Sequence, residues 1–283
     1  MNRLRIKPRL LPGFFLRQAV FILLSVIALF PLYFMVVTAL KTKMEFAGNL
    51  VGLPSHWTLE NFELVVGRKG FARWFANSVM LVAMTVPIAM FFSSLAAFAL
   101  SQMRFRGKQV LYTIIVSLQA IPTIVVLVPL FVLMVRTHLV STYLSAAIIY
   151  IGFMIPYTTF LLTSFFEDIP QALIDAAKID GCSSFGIYWR IMVPLSAPAL
   201  ITLVVVNSLW VWNELLIALV FLQSDKMKTL MVGLTVFKSR FQINVPATAA
   251  GLVIAIFPMI LLYIFANRFF IRGLVAGSLK GEV

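Results

Sequence analysis

The side chain best placed for chemistry is Glu214, an acid set inside an apolar run in the string Asn207-Ser-Leu-Trp210-Val-Trp212-Asn213-Glu214. Asn207, Trp210 and Glu214 fall at i, i+3 and i+7 and so share one face of a helix. A charge held in hydrocarbon is costly and marks a functional site by default. Two uses fit these residue types. An aromatic ring with amide and carboxylate neighbours can stack on a sugar ring while bonding its hydroxyls. Alternatively, the amides and Glu214 can bond adjacent helices and hold a bundle together, Asn213 among them. Gln119, with Pro122 freeing a carbonyl nearby, is a further candidate for the same cavity.

Other chemistries lack their residues. No GxSxG or HExxH string occurs, His56 and His138 are far apart, and the single cysteine, Cys182, excludes a disulfide framework or a CxxC metal knuckle. The nearest approach to a GxxxxGK[ST] phosphate loop is Gly107-Lys108, which is followed by Gln109 and has Gln102 where the first glycine should stand. The chain is expected to be non-catalytic, with no metal and no cofactor of its own.

The elements that carry Glu214 and Gln119 must cross a bilayer. The 283 residues are 61% hydrophobic and only 12% charged, with a mean hydropathy of +1.01, whereas soluble domains run at about 45–50% apolar and about 25% charged. Apolar runs of about 20 residues are needed to cross hydrocarbon, and six are present, at 19–40, 76–100, 110–134, 144–166, 198–222 and 247–267. The first follows Arg3, Arg5, Lys7, Arg9 and Arg17 and is too long for a cleavable signal peptide, so it reads as an uncleaved anchor. Pro31, Pro87, Pro122, Pro129, Pro156 and Pro258 fall within the runs. Such breaks are tolerated where neighbouring helices or a cavity re-satisfy the backbone.

A net charge of +13 at pH 7 comes from basic residues scattered in short stretches between the spans, so it suits anionic lipid and not nucleic acid. Six spans leave both termini on one side. That side carries thirteen Lys and Arg against ten on the other, and the N-tail with the short Arg104, Arg106, Lys108 loop holds them densely at span ends. Both termini are therefore expected to be cytoplasmic.

The segment from Glu167 to Ala197 is the one long polar stretch on that side, and its acids Glu167, Asp168, Asp175 and Asp180 outnumber Lys178 and Arg190. Pro170 suits a helix start, Gln171 to Ile179 suits its body, and Gly181 sits where a left-handed residue would stop it. Ser183 or Ser184 can cap a second short helix running to about Met192, ended by Pro194. Leu173, Ala176 and Ala177 form a narrow face of small side chains that a groove could approach closely. A membrane-surface helix would favour basic and bulky apolar residues, so docking to a partner is the better reading.

The string Asp175-Ala-Ala-Lys-Ile-Asp-Gly181, followed by Ile191-Met-Val-Pro194-Leu195, resembles the EAA motif of ABC-importer permeases. Ser164-Phe-Phe-Glu-Asp-Ile-Pro170 is similar to that family's approach to the motif, and Leu59-Glu-Asn-Phe62, Trp74-Phe-Ala-Asn-Ser78, Trp210-Val-Trp-Asn213 and Arg272 to Gly281 also fit. The resemblance is closest to the carbohydrate-uptake branch, to the smaller permease of maltose-type transporters. Asp175 stands where glutamate is usual and Cys182 where alanine is usual.

The resemblance implies an all-α integral membrane protein of the type I importer permease fold. About six transmembrane helices would carry a cytoplasmic coupling helix between spans 4 and 5, with 1–283 one transmembrane domain and 167–197 the coupling loop. Leu173, Asp175, Ala176, Ala177, Asp180, Gly181 and Pro194 would then serve ATPase coupling, and Gln119, Asn207, Trp210, Asn213 and Glu214 the substrate pathway. The implied partners are a second permease subunit, two ATPase subunits that use ATP and Mg, an extracytoplasmic solute-binding protein and membrane lipid. The implied place is a bacterial or archaeal plasma (inner) membrane. A self-sufficient secondary transporter or channel is the alternative, but it calls for ion-coupling acids in several spans, and Glu214 alone supports it poorly.

Overall fold

The computed structural model describes residues 11–237 and 244–278, with side chains for 14–237 and 244–267. The basic N-tail from Arg3 to Arg9 lies outside the described residues, as do Leu279 to Gly281 of the closing motif and the side chains of its residues from Arg272. Among the described residues the elements are helical: α1 Leu11–Ala39, α2 Lys43–Gly48, α3 Glu60–Val66, α4 Phe71–Gln102, α5 Lys108–Leu118, α6 Thr123–Arg136 and α7 Tyr143–Glu167. There follow α8 Gln171–Ile179, α9 Ser184–Ile187, a π turn Tyr188–Met192, α10 Val193–Leu195, α11 Ala197–Asn213, α12 Leu216–Phe221, α13 Leu230–Leu234 and α14 Val245–Ser278.

The chain divides into two compact units, one drawn from residues up to Arg68 and from Phe237–Ile254, the other from Lys69–Val236 and from Ala255 onward. In the first, α1 runs through Pro31 and is exposed along most of its length, as befits a helix whose solvent is lipid. Its last carbonyls have no partner within the helix. The Asn61 amide supplies one, donating to the carbonyls of Ala39 at 2.9 Å and Lys41 at 2.7 Å. The fully buried Lys41 donates in turn to the carbonyl of Asn49 at 2.7 Å.

In the second unit α4 and α7 form the largest helix contact. Ala89, Ser93 and Ala97 on α4 and Ala146 and Ala147 on α7 are buried, and such small residues let two backbones approach closely in lipid. α11 packs against both helices. Two of the six apolar runs are each built as a bent helix pair. Between α5 and α6 the chain turns by 99° at Gln119–Pro122. Pro122 pushes the residue before it out of the helical region, and the helix tightens into three-residue turns before it stops.

The fifth span is the other departure from the expectation of a continuous helix over 198–222. It begins with a 76° bend between Ser184–Leu195 and Ala197–Asn213 and breaks again at Glu214–Leu215, where Glu214 takes an extended backbone before α12 starts. The residues after α12 return to the start of α4. Asn77 donates to the carbonyls of Lys226 and Lys228 at 3.0 and 2.9 Å, and Ser78 Oγ accepts from the backbone N–H of Leu230 at 2.9 Å. Trp74 lies flat against Gly233, where a Cβ would come within 2.2 Å of the indole.

Candidate functional site

Two groups of the singled-out residues occupy two places in the second unit. The first is the turn from α8 to α10. α8 covers Gln171–Ile179, and Gly181, at φ +78°, stops it in the left-handed region that glycine adopts without strain. Ser183 caps α9 by accepting the backbone N–H of Gly186 at 3.1 Å. The second helix does not end before Pro194 as the sequence suggests. It widens into the π turn and carries on through Pro194 to Leu195, because a π turn removes the clash that a proline ring makes with the carbonyl four residues back.

The structure divides the docking face read from the sequence. Ala177 turns inward with Ile174, and both pack in the core beside Ile187, Tyr188 and Met192. Leu173, Ala176, Asp175, Asp180, Gly181 and Pro194 are exposed, and Ile179, which the sequence reading passed over, is 87% exposed. The inward pair sits at i and i+3, so it anchors α8, while the outward side offers two bulky apolar groups among acids. Asp175 accepts from Gln171 Nε2 at 3.0 Å and from Lys178 Nζ at 3.3 Å, which hold its carboxyl below the usual aspartate range.

The second group is on α11, facing α7. Asn207, Trp210 and Glu214 each meet α7, stepping along it in the opposite direction. The Asn207 amide is buried and donates to Thr158 Oγ1 at 2.9 Å and to Met90 Sδ on α4 at 3.6 Å. Trp210 stands edge-on to Tyr150 at 5.6 Å and tilted against Phe153 at 6.3 Å. Glu214 Oε2 accepts from the Tyr150 hydroxyl at 2.9 Å and from the backbone N–H of Ala218 at 3.0 Å, and Oε1 accepts from the N–H of Ile217 at 2.8 Å. The carboxylate thus caps α12 in the middle of the span. Charge-assisted bonds of this kind, together with the positive end of the helix it caps, offset the cost of carrying the charge there.

Trp210 is 36% exposed and Asn213 is exposed, its amide bonded back to the Leu209 carbonyl at 2.8 Å. Gln119 is exposed at the α5–α6 bend and belongs to neither cluster. Tyr150, Thr158, Ser94 and Tyr188 were missed in the sequence. Each is a polar group inside an apolar or aromatic stretch, and only Tyr150, deep in an apolar run, carried a signal of the kind that drew notice to Gln119.

Four helices long and apolar enough to cross a membrane, or six if each bent pair is one span, fit a polytopic membrane protein. Comparisons sharpen that class. Residues 89–273 match the family described as the binding-protein-dependent transport system inner membrane component. The arabinooligosaccharides transport system permease protein AraQ of Halalkalibacterium halodurans is 34% identical over 92% of this chain and 94% of its own. The sulfoquinovosyl glycerol transport system permease protein SmoH of Agrobacterium fabrum is 31% identical over 92% and 91%. A solved bacterial ABC transporter involved in import of the acidic polysaccharide alginate matches with a TM-score of 0.79 at 21% identity, over 93% of this chain and 98% of that one. The chain belongs to the binding-protein-dependent inner membrane components, the permeases of ABC importers, and has their type I fold.

Proposed function

We propose that this permease carries a carbohydrate or sugar-like solute, forming half of a translocation pathway with a second permease. The names of its relatives support the cargo class, since they include systems for arabinooligosaccharides, for starch degradation products and for melibiose, raffinose and stachyose. Two separate ATPase subunits would supply ATP hydrolysis with Mg, and an extracytoplasmic solute-binding protein would deliver cargo. A related solved transporter is in complex with a periplasmic protein bound to alginate pentasaccharide. The whole chain, 1–283, acts as one permease domain in a bacterial or archaeal plasma membrane, with both termini and the 167–197 loop in the cytoplasm.

The observation that carries the coupling role is the two-sidedness of α8. Its anchor residues Ile174 and Ala177 are buried while Leu173, Asp175, Ala176 and Ile179 face outward, which suits a helix seated in a partner's cleft. Trp210 and Asn213 are the pathway candidates, because part of the indole and the Asn213 amide remain exposed beside a charged group that lipid would not favour. Glu214 is assigned to holding the span's break, and that weakens the rival reading of a self-sufficient ion-driven transporter.

Purification of the tagged chain from its native membrane tests this, with co-purifying proteins identified by mass spectrometry. Recovery of a P-loop ATPase and a second permease is expected. Transport by the chain reconstituted alone would overturn the reading. The cargo class is tested by uptake of labelled oligosaccharides in cells with and without the chain, and unchanged uptake of every sugar in the presence of a normal complex would sink it.

A further inference from the structure

A polar side chain buried among apolar ones joins the acidic turn to the bundle. Tyr188 is 2% exposed, with its ring 5.4 Å from Phe98 on α4 and 5.1 Å from Trp189. Its hydroxyl lies 2.6 Å from Ser94 Oγ, also on α4. Ser94 has a single hydroxyl proton and donates it to the carbonyl of Phe91 at 2.9 Å, so the Tyr188 hydroxyl is the donor in the pair. Apolar contacts through Ile174, Ala177 and Met192 would hold the turn against the bundle without this bond, but they are non-directional. A satisfied buried hydrogen bond fixes one relative placement of two elements.

Tyr188 also opens the π turn, whose ring closes when the backbone N–H of Val193 donates to the Tyr188 carbonyl. A π turn holds one residue more than an α turn. A return of this turn to α geometry would move the register by one residue, and Tyr188, at its start, would swing with it. At the same end of the bundle Gln102 Nε2 donates to the carbonyl of Phe166 at 3.1 Å, so α4 is tied to α7 and a push on one reaches the other.

We propose that the Tyr188–Ser94 hydrogen bond is the joint through which movement of the Gln171–Leu195 turn is passed to α4, with the π turn as the element that shifts. Both are positioning residues, acting on the spans and not on cargo or nucleotide. The proposal rests on the reading of this turn as the ATPase-docking loop.

The test uses the assembled importer in lipid nanodiscs, in a Cys182→Ser background, with a nitroxide on Val79→Cys at the exposed far end of α4. ATP hydrolysis and the change in nitroxide water accessibility on adding ATP and vanadate are both measured. Tyr188→Phe and Ser94→Ala are each expected to keep the ATPase bound and hydrolysing while shifting the ATP-dependent equilibrium of α4 about fivefold, the scale of one hydrogen bond. The double variant should be no worse than either single one. A full wild-type response in both variants, additive losses, or loss of the ATPase from Tyr188→Phe alone would overturn the joint. Failure of the unaltered chain to hold an ATPase would instead overturn the docking-loop reading beneath it.

Discussion

Asp175 on α8 and Glu214 at the break between α11 and α12 are both carboxylates, yet they sit in opposite conditions. Asp175 stands on the surface of α8, paired only with Gln171 and Lys178 of its own helix. Glu214 lies at the break in span 5, and its two oxygens accept three hydrogen bonds from Tyr150, Ile217 and Ala218. The first is open to solvent on the surface of its helix, while the second is committed within the chain. A carboxylate's role in such a protein follows from what already occupies its lone pairs, more than from its depth. The same contrast separates Leu173 from Ala177 on α8, and Trp210 from Asn207 on α11.

The comparison is tested most severely at Glu214. Glu214→Ala leaves the N–H groups of Ile217 and Ala218 and the Tyr150 hydroxyl without their acceptor, and all three belong to fully buried residues. Each orphaned buried donor costs about 1–3 kcal/mol, so a large fall in thermal midpoint and in folded yield is expected. Glu214→Gln keeps one acceptor oxygen and should lose much less. A wild-type midpoint for Glu214→Ala would show that the carboxylate is free for cargo after all. Tyr150→Phe removes one bond of the set and should cost about 1 kcal/mol.

Gly233→Ala is expected to come next. The added methyl meets the Trp74 indole, and overpacking of this kind costs about 1–3 kcal/mol. Because Trp74, Asn77 and Ser78 together hold the segment after α12, the loss should appear as faster proteolysis between Gln223 and Leu230. Unchanged cleavage would mean that the segment is held by other contacts. On the docking side the expectation reverses. Leu173→Asp sits on the surface and should leave stability within about 0.5 kcal/mol, but it should reduce ATPase recovery with the purified chain. Ala177→Asp should do the opposite and destabilise first, since it places a charge in the core.

Much of this was legible in sequence, for reasons that particular residues make plain. α8 was readable from Pro170 to Gly181 because its start and stop are local chemistry, and the membrane spans were readable because lipid demands long apolar runs. Glu214 drew notice as a charge among apolar residues. Its partners did not, because Tyr150 and Thr158 reach it and Asn207 only through tertiary packing, which no spacing encodes. The break after Asn213 was hidden for the same reason: no proline or glycine marks it, and a side-chain oxygen supplies the cap that backbone propensity would not. The π turn escaped because Pro194 reads as a helix stop, when the chain had a wider turn available.

The smallest expected effect concerns Asp175, and it follows from the sign of its titration. Lys178 and Gln171 stabilise the ionised form in the folded chain, so its folded pKa lies below the unfolded value of about 3.9. The contribution is therefore complete above that value and is lost as pH falls through the folded pKa, with no pH dependence near neutrality. Because the group is exposed, α8 should fray only slightly between about pH 4 and lower pH. Carboxyl-carbon NMR of labelled Asp175 in nanodiscs would follow it. Replacing Gln171 or Lys178 with alanine should raise the midpoint, since each donates to the ionised carboxylate and Lys178 adds its charge. If addition of the ATPase subunits lowers the midpoint further, Asp175 meets a cationic or donor group on that partner. An unmoved midpoint would leave its pairing internal, like that of Glu214, and the contrast between the two acids would fail at the one place where it predicts contact across an interface.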